Sequence, residues 1–365
     1  MDIKPYLKLM VAKQASDMFL STGAPVNIKI DGTSAPVNSS PLPPGQVRNF
    51  AYGLLNEQQV AVFEESQELD TAISVNEVGR FRINLFMQRG EVAMVVRYIP
   101  WNCPSIADLK LPPLLSELVM QPRGMIIVAG ATGSGKSNTL AAMIEHRNRH
   151  STGHILTIED PIEFIHSHKK SVVNQREIGL DTQSYSEALR RAMREAPDLI
   201  MIGEIRDAET MQQALTYANT GHLCLSTLHA TNADQAIERM ITFFPEAAQR
   251  QLLLDLSLNL RAVIAQRLLT DKNGKRLPAT EILLNTPHMQ SLIHDGDLSK
   301  MKSAIEQDTT SGMQSFDSSI LSLYRDEKIS LDEALDNADR PDDLRLKISL
   351  GGNENDAELS YNFNI

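Results

Sequence analysis

The sequence predicts an α/β protein of two parts: a mixed α/β amino-terminal unit and a carboxyl-terminal domain built around a parallel, doubly wound sheet. Three observations predict it. Met125-Ile-Ile-Val-Ala129 is an apolar run feeding a glycine-rich turn, and the residues after the turn, Asn138 to Glu145, have helical character. Further short apolar runs at 154–158, 199–203 and 223–228 alternate with helix-like segments, as strands covered on both faces do. Between the two parts, Pro100, Pro104, Pro112 and Pro113 recur too closely for a helix to persist. The expected divisions are therefore 1–100, a proline-rich connector at 101–113, a second domain at 114–350 and a tail at 351–365.

Taken in order, Asp2 to Ala15 places Ile3, Tyr6, Leu7, Met10 and Val11 along one side of a helix. Val26 to Ile30 alternates like a strand and ends at Asp31-Gly32, a turn signal, while Ser34 to Gln46, rich in Ser and Pro, reads as a surface loop. Arg80 to Phe86 and Val92 to Tyr98 read as strands joined at Gln88-Arg-Gly90. In the first, Phe81, Ile83 and Leu85 share one face and Arg80, Arg82 and Asn84 the other. The connector reads equally as a hinge or as a plain tether. Beyond it, Ser184-Tyr-Ser-Glu187 has the form of a capping box opening a helix, whose Arg190, Arg191 and Arg194 suit an exposed or intersubunit face. From Gln249 to Leu269 the apolar residues Leu252, Leu253, Leu256, Leu260, Val263, Ile264 and Leu268 follow an amphipathic helical pattern. Pro278 to Leu284 then reads as a late strand, helices follow to about Leu346, and 351–365 has the composition of a disordered acidic tail.

Composition narrows the function classes. The apolar fraction of 42% with 22% charged residues is that of a globular protein. No stretch approaches the ~18 apolar residues of a membrane span, and no basic-then-apolar leader opens the chain, so the expected location is the cytoplasm, without direct membrane insertion. The net charge of −11 and the lack of a dense Lys/Arg run argue against nucleic acid as a partner and against an anionic leaflet, so membrane association should run through another protein. Between Ser330 and Ile365 nine acids face three bases, which concentrates about half of the excess there. The two cysteines, Cys103 and Cys224, are far apart and suggest neither a zinc ribbon nor a disulfide framework.

Gly130-Ala131-Thr132-Gly133-Ser134-Gly135-Lys136-Ser137, between a strand and a helix, has the pattern of a phosphate-binding loop. Small residues let successive backbone N–H groups curl around an anion, and the helix N-terminus adds partial positive charge. Lys136 would reach the β- and γ-phosphates of ATP, and the Ser137 hydroxyl would ligate Mg²⁺. In a doubly wound sheet, ligands collect at the carboxyl ends of the strands. Here those ends carry Glu159-Asp-Pro-Ile-Glu163, Glu204-Ile-Arg-Asp207 and His229. Phosphoryl transfer needs a metal against the phosphates and a group orienting the attacking water. Glu204 suits the metal, through coordinating waters, and Glu163, held extended after Pro161, suits the water. Glu159 and Asp160 read at least as well as turn or helix caps. His222 and His229 flank one strand and lie about 20 Å apart if it is extended, so only His229, at its carboxyl end, suits the γ-phosphate. His222 orders a turn or faces a neighbouring subunit.

Together these motifs resemble the Walker A, Asp box, atypical Walker B and His box of the secretion-type hexameric ATPases. Ala15-Ser-Asp-Met-Phe-Leu20, Gly79-Arg-Phe-Arg-Ile-Asn84 and Gly312-Met-Gln-Ser-Phe-Asp317 further resemble the type IV pilus retraction subgroup, PilT and PilU, over residues 3 to roughly 348. The resemblance implies a PAS-like amino-terminal domain, a RecA-like carboxyl-terminal domain and a homohexamer that hydrolyses ATP with Mg²⁺. It implies Glu163 as catalytic glutamate, Glu204 in the Mg²⁺ site, and Arg82 and Arg97 as arginines approaching the nucleotide. It implies action on the inner-membrane platform protein at the pilus base, where the motor is peripheral to the membrane. Where PilT proteins carry Ala-Ile-Arg-Asn-Leu-Ile-Arg-Glu, this chain has Pro287-His-Met-Gln-Ser-Leu-Ile-His294. Both arginines are absent, which with the acidic tail favours the PilU subgroup, an accessory retraction ATPase working alongside PilT. The alternatives are a nucleotide-binding adaptor ring that supports a partner ATPase, and a pilus-assembly or type II secretion ATPase, although those generally carry a tetracysteine module that this chain lacks.

Overall fold

The computed structural model describes residues 2–30, 32–76, 78–308 and 311–350. The turn residue Asp31 and the acidic segment 351–365 lie outside the described residues. The chain divides into two units, one of residues 1–102 with 162–166 and one of residues 103–161 with 167–365.

The first unit contains α1 (Lys4–Ala12), β1 (Asp17–Leu20), β2 (Asn27–Ile30), β3 (Thr33–Pro36), α2 (Gln46–Tyr52), α3 (Glu57–Ser66), β4 (Glu68–Val75), β5 (Gly79–Gln88) and β6 (Glu91–Ile99). Its strands form one antiparallel sheet in the order β3-β2-β1-β6-β5-β4. The period of two in β5 decides which face packs. Phe81, Ile83 and Leu85 are fully buried with Leu7 and Met10 of α1 and Phe50 of α2, and each such side chain contributes roughly 1.5–3 kcal/mol. The β5–β6 turn has positive φ at both central residues, Arg89 (52°) and Gly90 (80°), which matches the twist of a two-residue hairpin. Part of the expected loop at 34–46 is strand instead. Thr33–Pro36 is exposed throughout and pairs only with β2, an edge position where Pro36 removes no needed ladder bond.

The second unit contains α4 (Leu114–Val119), β7 (Gly124–Ala129), α5 (Lys136–His150), β8 (Gly153–Glu159), β9 (Ser171–Glu177), α6 (Tyr185–Ala192), β10 (Leu199–Ile202), α7 (Ala208–Asn219), β11 (Leu223–Leu228), α8 (Ala233–Thr242), α9 (Glu246–Asn259), β12 (Leu260–Thr270), β13 (Arg276–Leu284) and helices α10 (Pro287–Asp295), α11 (Met301–Gln307), α12 (Phe316–Arg325), α13 (Leu331–Asn337) and α14 (Pro341–Leu350). The sheet order is β13-β12-β7-β11-β10-β8-β9, parallel except where β13 returns antiparallel to β12. Helices cover both faces, so β7 is apolar at successive positions. Met125, Ile127 and Ala129 enter one core; Ile126 and Val128 enter the other. Ile106 and Leu111, from the proline-rich stretch, are buried in that second core.

The helical pattern over 249–269 is corrected by the structure, in which α9 stops at Asn259 and β12 begins at Leu260. Residues 262–266 are buried at every position, and the apolar run Ala262-Val-Ile-Ala265 within them satisfies a helical period as readily as a strand's. Ser184 does cap α6, accepting from the Glu187 N–H at 3.1 Å, but the Glu187 carboxylate pairs with Arg190 and Arg191 on the helix surface.

Candidate nucleotide site

The loop between β7 and α5 is shaped by what lies beneath it. Gly135 has φ 89°, and a Cβ there would stand 2.8 Å from Gln266 Nε2. A Cβ on Gly130 would stand 2.8 Å from the Gln266 carbonyl oxygen, so neither position tolerates a side chain. Lys136, the first residue of α5, is buried, and its Nζ donates to the carbonyls of Gly130 and Ala131, both at 2.9 Å. Ser137 follows, half-buried, while Ala131, Thr132 and Gly133 are exposed at the rim and Ser134 is buried. A cavity of about 450 Å³ opens beside the loop, lined by Ala131, Gly133, Thr231, Leu268, Thr270 and Arg276.

At the neighbouring strand ends, one oxygen of Glu204 accepts from Arg206 Nε at 2.8 Å and the other lies 3.2 Å from His229 Nε2. Two bonds hold these ends together: Thr227 Oγ1 donates to the Gly203 carbonyl at 2.7 Å, and the Ile205 N–H donates to the Thr227 carbonyl at 3.1 Å. Burial, then the charge of Lys136, lowers the His229 pKa from its ordinary 6.5 against the opposing pull of Glu204. The imidazole is therefore neutral at pH 7. The phenol of Tyr185, at the start of α6, is pushed well above its usual range by burial and then by Asp160, and its hydroxyl would touch a Cβ on Gly203. Ser137 offers a hydroxyl and Glu204 a carboxylate, oxygen donors of the kind Mg²⁺ takes.

The other acids separate by environment. Glu159 is buried and accepts from Thr157 Oγ1 at 2.7 Å and Gln175 Nε2 at 3.1 Å. Asp160 lies 3.7 Å from Arg206, and Asp207 caps α7 by accepting from the Thr210 N–H at 2.7 Å. Glu163 is exposed in the segment 162–166 that belongs to the first unit. That unit also carries Arg82, 3.7 Å from Asp70, and Arg97, whose Nε donates to Asp17 at 2.8 Å. The second unit thus brings together the glycine-rich loop, Glu204 and His229, while Glu163, Arg82 and Arg97 lie in the first. His222 orders a turn, its Nδ1 standing 3.2 Å from both Thr220 Oγ1 and the Tyr217 carbonyl.

Two buried polar residues near the site carry no motif and escaped sequence reasoning. Gln266 contacts the loop from β12, and Glu281 on β13 accepts from the Ala233 N–H at 2.7 Å, at the start of the helix that follows His229. Gln266 follows four apolar residues and precedes Arg267, and Glu281 lies between Thr280 and Ile282, so each offers only its polarity inside a buried strand as a signal.

Residues 107–284 match the family of type II/IV secretion system proteins. The type IV pilus ATPase PilU of Pseudomonas aeruginosa is 49% identical over 359 residues, spanning 98% of this chain and 94% of the relative. The type IV pilus retraction ATPase PilT of the same organism is 41% identical over 344 residues, spanning 94% of this chain and 100% of the relative. A crystal structure of the pilus retraction motor PilT with bound ADP superposes with a TM-score of 0.88 at 39% identity, covering 95% of this chain and 99% of that one. The ATPase DotB of Legionella pneumophila gives a TM-score of 0.75 at 26% identity, covering 91% of this chain and 94% of that one. With relatives of that identity matched almost end to end, the chain belongs to the PilT/PilU family of type IV pilus retraction ATPases.

Proposed function

We propose that the protein hydrolyses Mg·ATP at the loop 130–137 and converts the energy into pilus retraction as an accessory, PilU-type motor. Backbone N–H groups of Gly130 to Gly135 and the Lys136 ammonium bind the phosphates. Ser137 and Glu204, the latter through water, would hold Mg²⁺, which when bound would supply positive charge against the phosphoryl oxygens. His229 contacts the γ-phosphate, Glu163 polarises the attacking water, and Arg82 and Arg97 supply planar cations to the transferring group. The cavity beside the loop takes the sugar and base.

The observation that carries this reading is the Lys136 ammonium lodged against its own loop's carbonyls, with the Glu204–His229 pair at the adjacent strand ends. A phosphate would replace those carbonyls as the partner of Lys136. The working division is a first domain of 1–100, a connector at 101–113, an ATPase domain of 114–350 and a tail of 351–365. The motor works as a homohexamer on the cytoplasmic side of the inner membrane, with a PilT-type paralogue and the pilus platform protein as partners. No helix among the described residues is long and apolar enough to cross a membrane, which suits a peripheral attachment. The PilU-type assignment is supported by the higher identity to PilU and by the absence from Pro287-His-Met-Gln-Ser-Leu-Ile-His294, in α10, of both arginines that the resemblance to PilT would call for.

Steady-state ATPase rates of the wild type and Glu163→Ala test the chemistry. A wild-type rate above background that falls at least a hundredfold is expected, on the order of a lost general base. Equal near-background rates would leave the adaptor reading in its place. Pilus length in cells lacking the gene, with and without the paralogue, tests the retraction role.

A further inference from the structure

Gln266 lies on β12, 4% exposed, with both ends of its amide engaged on the glycine-rich loop and its helix. Its Nε2 donates to the Ser134 carbonyl at 2.8 Å, and its Oε1 accepts from Thr139 Oγ1 at 2.6 Å. The Ser134 carbonyl and the Gly135 N–H belong to one peptide plane, and in a trans peptide they point in opposite directions. A side chain that holds the carbonyl toward β12 therefore turns the Gly135 N–H the other way, toward the space the loop encloses. We propose that Gln266 is a positioning residue of the nucleotide site, which sets the peptide plane of Ser134–Gly135 so that its N–H faces the phosphates before nucleotide arrives.

The platform is rigid. Ala265 pairs with Ala129 of β7 on one side and with Glu281 of β13 on the other. On the opposite face of β12, Arg267 is pinned by Asp339 at 2.7 Å and by the Phe316 ring at 3.9 Å. The chemistry calls for an amide, because one group must donate to a carbonyl and accept from a hydroxyl at once. A carboxylate keeps the second contact and turns the first into a repulsion. Leucine with Thr139→Val removes both polar ends together and leaves no unpaired side-chain atom, although the Ser134 carbonyl goes unheld.

The inference rests on residues 130–137 binding the phosphates, so Lys136→Ala is measured beside Gln266→Glu and the double variant Gln266→Leu/Thr139→Val. The readouts are the Kd for Mg·ADP, KM and kcat for ATP, and the melting temperature without nucleotide. Both Gln266 variants are expected to raise Kd and KM about tenfold, the cost of one misdirected buried hydrogen bond, with kcat within twofold; the buried carboxylate of Gln266→Glu also lowers the unliganded melting temperature, whereas Gln266→Leu/Thr139→Val, which buries no charge, melts close to wild type. Kd within twofold of wild type in both, while Lys136→Ala loses binding, would overturn the positioning role and leave the loop intact as the site. So would a loss of binding confined to variants whose unliganded melting temperature falls with it. Unimpaired binding by Lys136→Ala would remove the loop reading itself and this inference with it.

Discussion

Glu204 Oε1 lies 3.2 Å from Nε2 of His229, so protonation of the imidazole converts a contact between neighbours into an ion pair. Burial and Lys136 hold the His229 pKa below 6.5, and the ring charges only as the pH falls below that value. On the proposed function, the imidazolium would then compete with Mg²⁺ for the Glu204 carboxylate. The acid limb of the kcat profile is expected below pH 6.5, with His229→Gln lowering kcat about a hundredfold and flattening that limb. A limb centred above pH 6.5, or one unchanged in the variant, would count against this role.

Arg97 and Arg82 pair with Asp17 and Asp70, but both guanidinium groups remain substantially solvated. The exposed Arg82–Asp70 pair contributes about 0–1 kcal/mol, so its loss should scarcely alter folding, whereas loss of Arg97 leaves the buried Asp17 carboxylate without its charged partner and lowers stability. Arg82→Ala and Arg97→Ala are expected to cut kcat at least tenfold, on the scale of a lost transition-state cation, with the urea midpoint nearly unchanged for Arg82→Ala and lowered for Arg97→Ala. A midpoint shift with full activity would make them structural residues only.

Glu281 is 2% exposed, and burial raises its pKa from 4.5 to about 7, with Ala233 opposing and Asp339 adding to the rise. The folded state binds this proton more tightly than the unfolded chain. Its stabilisation is complete below the unfolded value of 4.5 and is lost as the pH rises through about 7. Glu281→Gln, which imitates the protonated form and can still accept from the Ala233 N–H, should reduce the fall in stability between pH 5 and pH 8. Denaturant titrations at the two pH values measure it, and parallel losses in both proteins would refute the linkage.

Arg147, 7% exposed on α5, donates to the carbonyls of Val119 and Gln121 at 2.8 and 2.9 Å and so closes the end of α4. Arg147→Met would leave those acceptors without their charged donor. The expected cost is about 2–3 kcal/mol of unfolding free energy, read from denaturant midpoints at constant m-value. A loss below about 0.5 kcal/mol would show that water replaces the guanidinium there.

The glycine-rich loop, the strands before and after it, and the acids and histidine at the strand ends were legible in sequence because each depends on neighbours along the chain. A strand, a tight turn and a helix N-terminus need only consecutive residues, and Gly130 to Ser137 supply them. The packed face of β5 was legible for the same reason, through the alternation of Phe81, Ile83 and Leu85. The edge strand β9, the division of 249–269 between α9 and β12, and the insertion of 162–166 into the first unit were not. In those segments the local pattern is ambiguous, and pairing with distant strands chooses among the states it allows.

Sequence by itself determined the nucleotide-binding chemistry, since an anion cradle is a property of a few consecutive N–H groups and one lysine. Tertiary structure alone decided what holds that cradle in shape: Gln266 is 132 residues from Ser134 and 127 from Thr139, and its amide meets both only because β12 lies against β7. Hydrogen bonds of that kind depend on direction and distance in the folded sheet, and residue type and spacing along the chain encode neither.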